Sequence, residues 1–295
     1  MKRRYSLKGS NRAVKPHAIL RSPLLISGCK DMTELLESTT NPFGGIIPNP
    51  QGLPSDPDDF RDRLAQSLTS WREQGYKTVW LEVSIGLSAL VPVAVAAGFS
   101  FHHSGERPNL FSPGMEDDQY LMMTLQLEPG AFIPPFATHY IGIGGVVLNE
   151  ARELLVVCER HRNPGQPPFY KLPGGAVHPG EHLADAAIRE VLEETGIHTQ
   201  FEAMACFRHW HGYRYGKSDI YFVARLSPLS NEITMQVEEI EECLWMPVDD
   251  YLDSDATSPF NRRIVRAALD HPGIRPESLQ GFDDREREFF MPPLR

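Results

Sequence analysis

Between Leu172 and Ile197 the chain reads LPGGAVHPGEHLADAAIREVLEETGI, a glycine-rich loop that runs into a helix crowding three glutamates. Gly174-Gly175 and Pro179-Gly180 let loop amides and carbonyls come close to a ligand. The helix, expected from about Glu181 to Thr195, presents an N-terminus that favours anions. At about 100° per residue, Glu190, Glu193 and Glu194 fall within an arc of about 100°. Ala184, Ile188, Val191 and Leu192 lie on the opposite side and are expected to pack inward.

Like charges three and four residues apart repel by a few tenths of a kcal/mol per pair, which a solvated acidic face tolerates. An isolated E-x-x-E-E is more often such a face than a site. A hard divalent ion changes the balance, because Mg²⁺ or Mn²⁺ takes carboxylate oxygens and fills its remaining positions with water and phosphate. Glutamates that repel one another then become a site for an otherwise repelled pyrophosphate.

The spacing decides between these readings. Gly175 is followed after five residues by Glu181, after seven more by Arg189-Glu190, then by Val191, Glu193-Glu194, Gly196 and Ile197. This agrees at every defined position with the Nudix box G-x5-E-x7-R-E-U-x-E-E-x-G-U, so the chain resembles a Nudix hydrolase. Outside the box, Tyr140–Glu150, Phe207-Arg208-His209, Gly216-Lys217-Ser218-Asp219 and Trp245-Met246-Pro247 resemble one subgroup. It comprises plant ADP-ribose/NADH pyrophosphatases and the animal fibroblast-growth-factor antisense Nudix protein.

The resemblance implies roles. Glu190, Glu193 and Glu194 would be metal ligands for Mg²⁺ or Mn²⁺, with the Gly174 carbonyl adding a backbone oxygen. Arg189 would orient Glu190, and Glu181 would pair with Arg189 or act through water. The general base is left open between Glu193 and the later cluster Glu238, Glu239, Glu241 and Glu242, itself equally readable as a solvated acidic turn. Arg208, Lys217 and Asp219 are the substrate-binding candidates, within a stretch whose His209, His211, Tyr213 and Tyr215 also suit phosphate and base. Plain strand alternation accounts for His209 and His211 just as well. Gly142-Ile143-Gly144-Gly145 is not a dinucleotide fingerprint, because strand-like residues follow it.

Charge and length set the rest. The chain of 295 residues carries net charge −10, yet its first 30 residues hold eight bases and no acid, leaving −18 beyond them. So acidic a body argues against nucleic-acid coating, which needs Lys and Arg along the backbone. The four cysteines are widely spaced, neither a disulfide framework nor a zinc pattern. No apolar run approaches the roughly 18 residues of a membrane span. The chain is therefore expected to be cytoplasmic, or mitochondrial or plastid if the basic leader is a transit peptide.

Four segments are expected: a basic leader over 1–40, an N-terminal domain over 41–133, a Nudix domain over 134–271 and a tail over 272–295 with no assigned role. In the second, a helix capped by Asp56 and striped by Phe60, Leu64, Leu68 and Trp71 sits among strands in the order β-α-β-α-β-β. Its Trp80-Leu81, Ala97-Gly98-Phe99 and Phe101-His102-His103 are similar to the subgroup's extra domain, which resembles half of a GNAT acyltransferase. Without an evident acyl-CoA loop it is read as structural or dimer-forming, and His102-His103 as packing. The fold class is thus α/β: a C-terminal Nudix α/β/α sandwich with a mixed sheet, preceded by a small GNAT-like α/β domain.

The expected activity is hydrolysis of the pyrophosphate bond of a small nucleoside diphosphate derivative, with ADP-ribose or NADH favoured through the resemblance and a homodimer allowed. Two other readings stay open. One is a non-catalytic nucleotide sensor or interaction protein, for which three crowded glutamates bring little. The other is mRNA decapping, which the missing basic stripe disfavours.

Overall fold

A computed structural model describes residues 34–106, 119–163, 165, 167–282 and 286–292. The chain divides into two compact units between Pro134 and Pro135. The basic run 1–30 lies outside the described residues. No helix is long and apolar enough to cross a membrane among them.

The first unit orders β1 (Ser38–Thr40), β2 (Gly45–Pro48), α1 (Pro57–Glu73), β3 (Thr78–Ser84), α2 (Val91–Ala96), β4 (Ser100–Glu106) and β5 (Gln119–Gln126). Its sheet runs β1-β2-β3-β5-β4, with β2 and β3 parallel and joined through α1. The Asp56 carboxylate accepts from the Asp58 N–H at 3.2 Å, and Pro57 opens α1. Phe60, Leu64, Leu68 and Trp71 are all buried against the sheet residues Val79, Leu81 and Met123. The unit starts earlier than expected, since Leu36 is buried in this core and β1 begins before residue 41.

The second unit begins with β6 (His139–Val147), β7 (Glu153–Glu159), β8 (Gly174–Ala176), α3 (Leu183–Thr195), β9 (Thr199–Trp210) and β10 (Ser218–Pro228). It continues through β11 (Ile240–Pro247), α4 (Val248–Asp253), α5 (Pro259–Asp270), β12 (Arg275–Pro276) and β13 (Phe290–Met291). Four strands form a mixed sheet β8-β6-β10-β9, parallel at β6–β10, while β11 pairs with β7. One core gathers Ile143, Val147, Ala187, Val191 and Leu226 under α3; another gathers Val146, Val156, Val223, Tyr251 and Val265 under α4 and α5. Helices thus cover both faces, an α/β/α sandwich.

Three expectations change. The helix begins at Leu183 instead of Glu181, because the Glu181 carboxylate turns back to accept the His178 N–H at 2.9 Å. Leu192 is exposed, whereas Glu194 is buried, so the inward face of α3 is rotated from the one drawn by apolar content. The tail beyond 271 is not idle: β12 pairs with β13, and Phe290 packs on Phe201 with ring centroids 5.7 Å apart.

Candidate active site

β8 explains the glycine-rich loop. Gly174–Ala176 pair antiparallel with Gly142–Gly144 of β6, so the loop becomes a short strand whose far end delivers the chain toward α3. A Cβ at Gly174 would lie 2.3 Å from the Ile143 carbonyl oxygen, and one at Gly175 would lie 2.5 Å from the Glu190 carboxylate. The glycines therefore bring backbone and acid together. The Gly174 N–H donates to Glu194 Oε2 at 2.9 Å, tying the strand to the helix.

Arg189 organises the acids of α3. Its Nε and Nη2 donate to the two oxygens of Glu181 at 2.6 and 2.8 Å, a bidentate pair. Nη1 reaches Glu190 at 2.9 Å and Glu193 at 3.0 Å, and Nη2 also donates to the Ala176 carbonyl at 3.0 Å. The guanidinium holds the Glu181 carboxyl down at about 2 and is itself held protonated.

Glu190 and Glu194 differ from Glu181. Burial pushes the Glu190 carboxyl up against the opposing pull of Arg189. Burial pushes Glu194 up to about 7, opposed by the Lys171 ammonium at 3.8 Å and by the Gly174 N–H. Lys171 is itself pinned by Glu159 at 2.5 Å. A buried carboxylate this poorly compensated is costly unless a cation joins it.

Lys171, Gly174, Arg189, Glu190, Glu193 and Glu194 line one open cavity of about 1150 Å³. Arg208 lines the same cavity, its guanidinium 5.1 Å from the Trp210 ring, 5.3 Å from Tyr221 and 5.9 Å from Phe260. Behind it Arg208 Nη2 meets the buried Asp219 at 3.1 Å. Tyr213 and Tyr215 stand at the rim; Tyr215 is 90% exposed and held at a φ of 52°.

Family profiles match both units: one described as NUDIX domain over residues 138–268, one described as Nudix hydrolase domain over residues 36–111. Nudix hydrolase 8 of Arabidopsis thaliana is 36% identical over 269 residues, covering 88% of this chain and 70% of that protein. Nudix hydrolase 2 of the same plant is 38% identical over 245 residues, 82% of each chain. The human nucleoside diphosphate-linked moiety X motif 6 protein is 32% identical over 241 residues, 79% of this chain and 72% of that one.

The chain belongs to the Nudix hydrolase family. Its Nudix box spans β8, the following turn and α3; Gly174, Arg189, Glu190, Glu193 and Glu194 line the cavity, and Glu181 reaches it through Arg189. Arg208 and Asp219 lie on adjacent strands and meet in the cavity wall. Lys217 stands beside that lining, its ammonium 5.5 Å from the Phe136 ring and 5.2 Å from the ring of Tyr140, which lines the cavity. Of the later acidic cluster, Glu241 is held by Arg162 at 2.5 Å and Glu242 accepts from the Tyr170 hydroxyl at 2.5 Å, whereas Glu239 lines the cavity.

Sequence reasoning missed Lys171, Glu159 and Tyr221. Lys171 directly precedes Leu172-Pro173-Gly174-Gly175, so its position beside the box was a signal. Tyr221 follows Asp219 at the period of two along β10, which puts both on one face. Its half-buried ring also explains Gly142 and Gly144, where a Cβ would come within 2.9 and 2.3 Å of Tyr221 atoms.

The donor set suits a hard divalent ion. It consists of oxygens alone, and the buried Glu194 lacks a full positive partner. Among the described residues no three His, Cys, Asp or Glu side chains converge into a cage. A Mg²⁺-like ion, which keeps several waters and takes one or two carboxylates, does not require one.

Proposed function

We propose that this chain hydrolyses the pyrophosphate bond of nucleoside diphosphate derivatives with Mg²⁺ or Mn²⁺, and that ADP-ribose and NADH are its preferred substrates. The observation that carries this reading is that one cavity is lined by the half-buried Glu190, the buried Glu194 and the ring-flanked guanidinium of Arg208. The carboxylates suit a cation, and the guanidinium with its flanking rings suits an anion and a base. A volume of about 1150 Å³ admits a molecule larger than a mononucleotide. The choice of ADP-ribose and NADH rests on the subgroup resemblance of the sequence.

Glu190, Glu193, Glu194 and the Gly174 carbonyl would hold the ion. Bound there, a hard divalent ion would neutralise charge that develops on phosphate and would lower the pKa of the attacking water. Arg189 keeps Glu190 and Glu193 oriented, with Glu181 as its counterweight. Glu193 or Glu239 accepts the proton of that water; Glu241 and Glu242 are already engaged. Arg208 receives a phosphate while Trp210 and Phe260 flank a base. The bond between phosphorus and the bridging oxygen breaks, releasing two monophosphates. The first unit supports this chemistry as a structural or dimer-forming domain.

The test gives purified protein ADP-ribose, NADH, NAD⁺, coenzyme A and capped RNA with Mg²⁺ or Mn²⁺, and resolves products by chromatography. Glu194→Gln is the control. Cleavage of ADP-ribose or NADH by the wild type alone supports the reading. Wild-type protein that cleaves none of them at any metal level rejects it, and equal turnover by the variant removes the metal assignment.

A further inference from the structure

The helix that carries the metal-ligand candidates has no N-cap of its own. His182 stands at the cap position of α3, and its side chain makes no capping hydrogen bond. The first amides of a helix lack intrahelical partners, and Ser, Thr, Asp or Asn normally supplies one. Here the acceptor comes from more than a hundred residues away. Glu288 Oε2 accepts from the Leu183 N–H at 2.8 Å, and Oε1 accepts from the Ala184 N–H at 3.1 Å. One carboxylate thus takes two orphan donors and sets its charge on the positive end of the helix.

The tail holds this carboxylate in place. The Met204 N–H donates to the Ile274 carbonyl at 2.8 Å and the reverse bond is 2.9 Å, which fixes the tail to β9. Arg275 and Pro276 then pair with Met291 and Phe290, and the Glu277 N–H donates to the Phe289 carbonyl at 2.9 Å. Phe290 packs into the core beneath α3. Glu288 lies two residues before it, so burial of the phenyl ring aims the carboxylate at the helix end. This segment lies beyond residue 268, where the match to the NUDIX domain ends.

The cap bears on the site through a short chain of contacts. Glu181 is two residues ahead of Leu183 and holds Arg189, which in turn holds Glu190 and Glu193. If the first turn of α3 frays, the turn that carries Glu181 loses its fixed end, and the acids lose the guanidinium that spaces them.

We propose that Glu288 is a positioning residue: through the cap it sets the affinity of the Glu190–Glu193–Glu194 face for a divalent ion. This rests on the metal-dependent reading above.

Mn²⁺ is titrated into the full-length chain, free ion is followed by its paramagnetic resonance signal, and amide exchange is read along α3. Wild type, Glu288→Ala and Glu288→Gln are compared. For Glu288→Ala the expected Mn²⁺ affinity is about three- to tenfold lower, by analogy with lost caps and lost outer-shell partners. Exchange at Leu183 and Ala184 should speed up, while kcat at saturating Mn²⁺ stays within about twofold, since no reacting group is touched. Glu288→Gln keeps the length and one acceptor and should fall between; it also carries the test if the alanine variant does not fold. Unchanged Mn²⁺ affinity in a variant whose first-turn amides exchange faster overturns the positioning role and leaves the metal reading intact. A wild type that binds no Mn²⁺ overturns both.

Discussion

The two carboxylate oxygens of Glu181 are both taken by Arg189, at 2.6 and 2.8 Å, while the same guanidinium touches Glu190 and Glu193. Glu181 is therefore the anchor of the arginine, and the arginine is the spacer of the acids. Lysine at position 189 supplies a compact point charge in place of a planar fork and loses the bidentate pair with Glu181. Arg189→Lys should lower kcat/KM by about 10- to 100-fold, the range for lost outer-shell partners. Steady-state kinetics with circular dichroism as the fold control checks this; an active, wild-type-like lysine variant removes Arg189 from the positioning scheme.

Gly175 gives a sharper steric test. Its φ is ordinary, so the requirement is room: an added Cβ would sit 2.5 to 2.7 Å from the atoms of the Glu190 carboxylate. Gly175→Ala must push that acid aside. A displacement near 1 Å in a catalytic group costs about 100-fold in rate, and that loss is expected here with little change in folding stability. A urea titration beside the rate measurement separates the two effects.

Much of this was legible before any coordinates, and the misses share a cause. The Phe60–Trp71 stripe, its Asp56 cap and the Nudix box spacing are signals carried within one continuous stretch of chain. What stayed hidden depends on distant chain. β8 is three residues long, too short for periodicity, and forms because β6 offers it an edge. Glu194 is a ligand candidate from the box alone, but its burial depends on β8 and Lys171, which no local pattern places beside it. The tail contributes through Glu288 and Phe290, whose partners lie about 90 residues or more upstream.

The raised Glu194 carboxyl makes a signed prediction for protein freed of metal with a chelator. Its pKa is near 4.5 when exposed and about 7 when buried in the fold. The folded state then binds more protons than the unfolded state between those values, so stability falls as pH rises through that window. The loss is at most about 3 kcal/mol for one group. Glu194→Gln, which cannot ionise, should lack this slope, and adding Mn²⁺ at pH 8 should restore the wild type but not the variant. Thermal melts from pH 5 to 8 read it out; parallel pH profiles for the two proteins would falsify the assignment of the buried charge.

Lys171 is the remaining cation close to Glu194, held by Glu159 at 2.5 Å. Its ammonium partly offsets the acid that a divalent ion would also satisfy, so the two cations compete for one carboxylate. Lys171→Met keeps the length and removes the charge. Its chelated form should be less stable at pH 8 by about 1 kcal/mol, the scale of a partly exposed ion pair. The same variant should bind Mn²⁺ at least as tightly as the wild type, because a competitor has gone. Opposite signs on the two measurements are the signature. If Mn²⁺ binding weakens together with stability, Lys171 supports the ion site instead of competing with it, and the ammonium must be assigned to holding Glu159 and Glu194 in register.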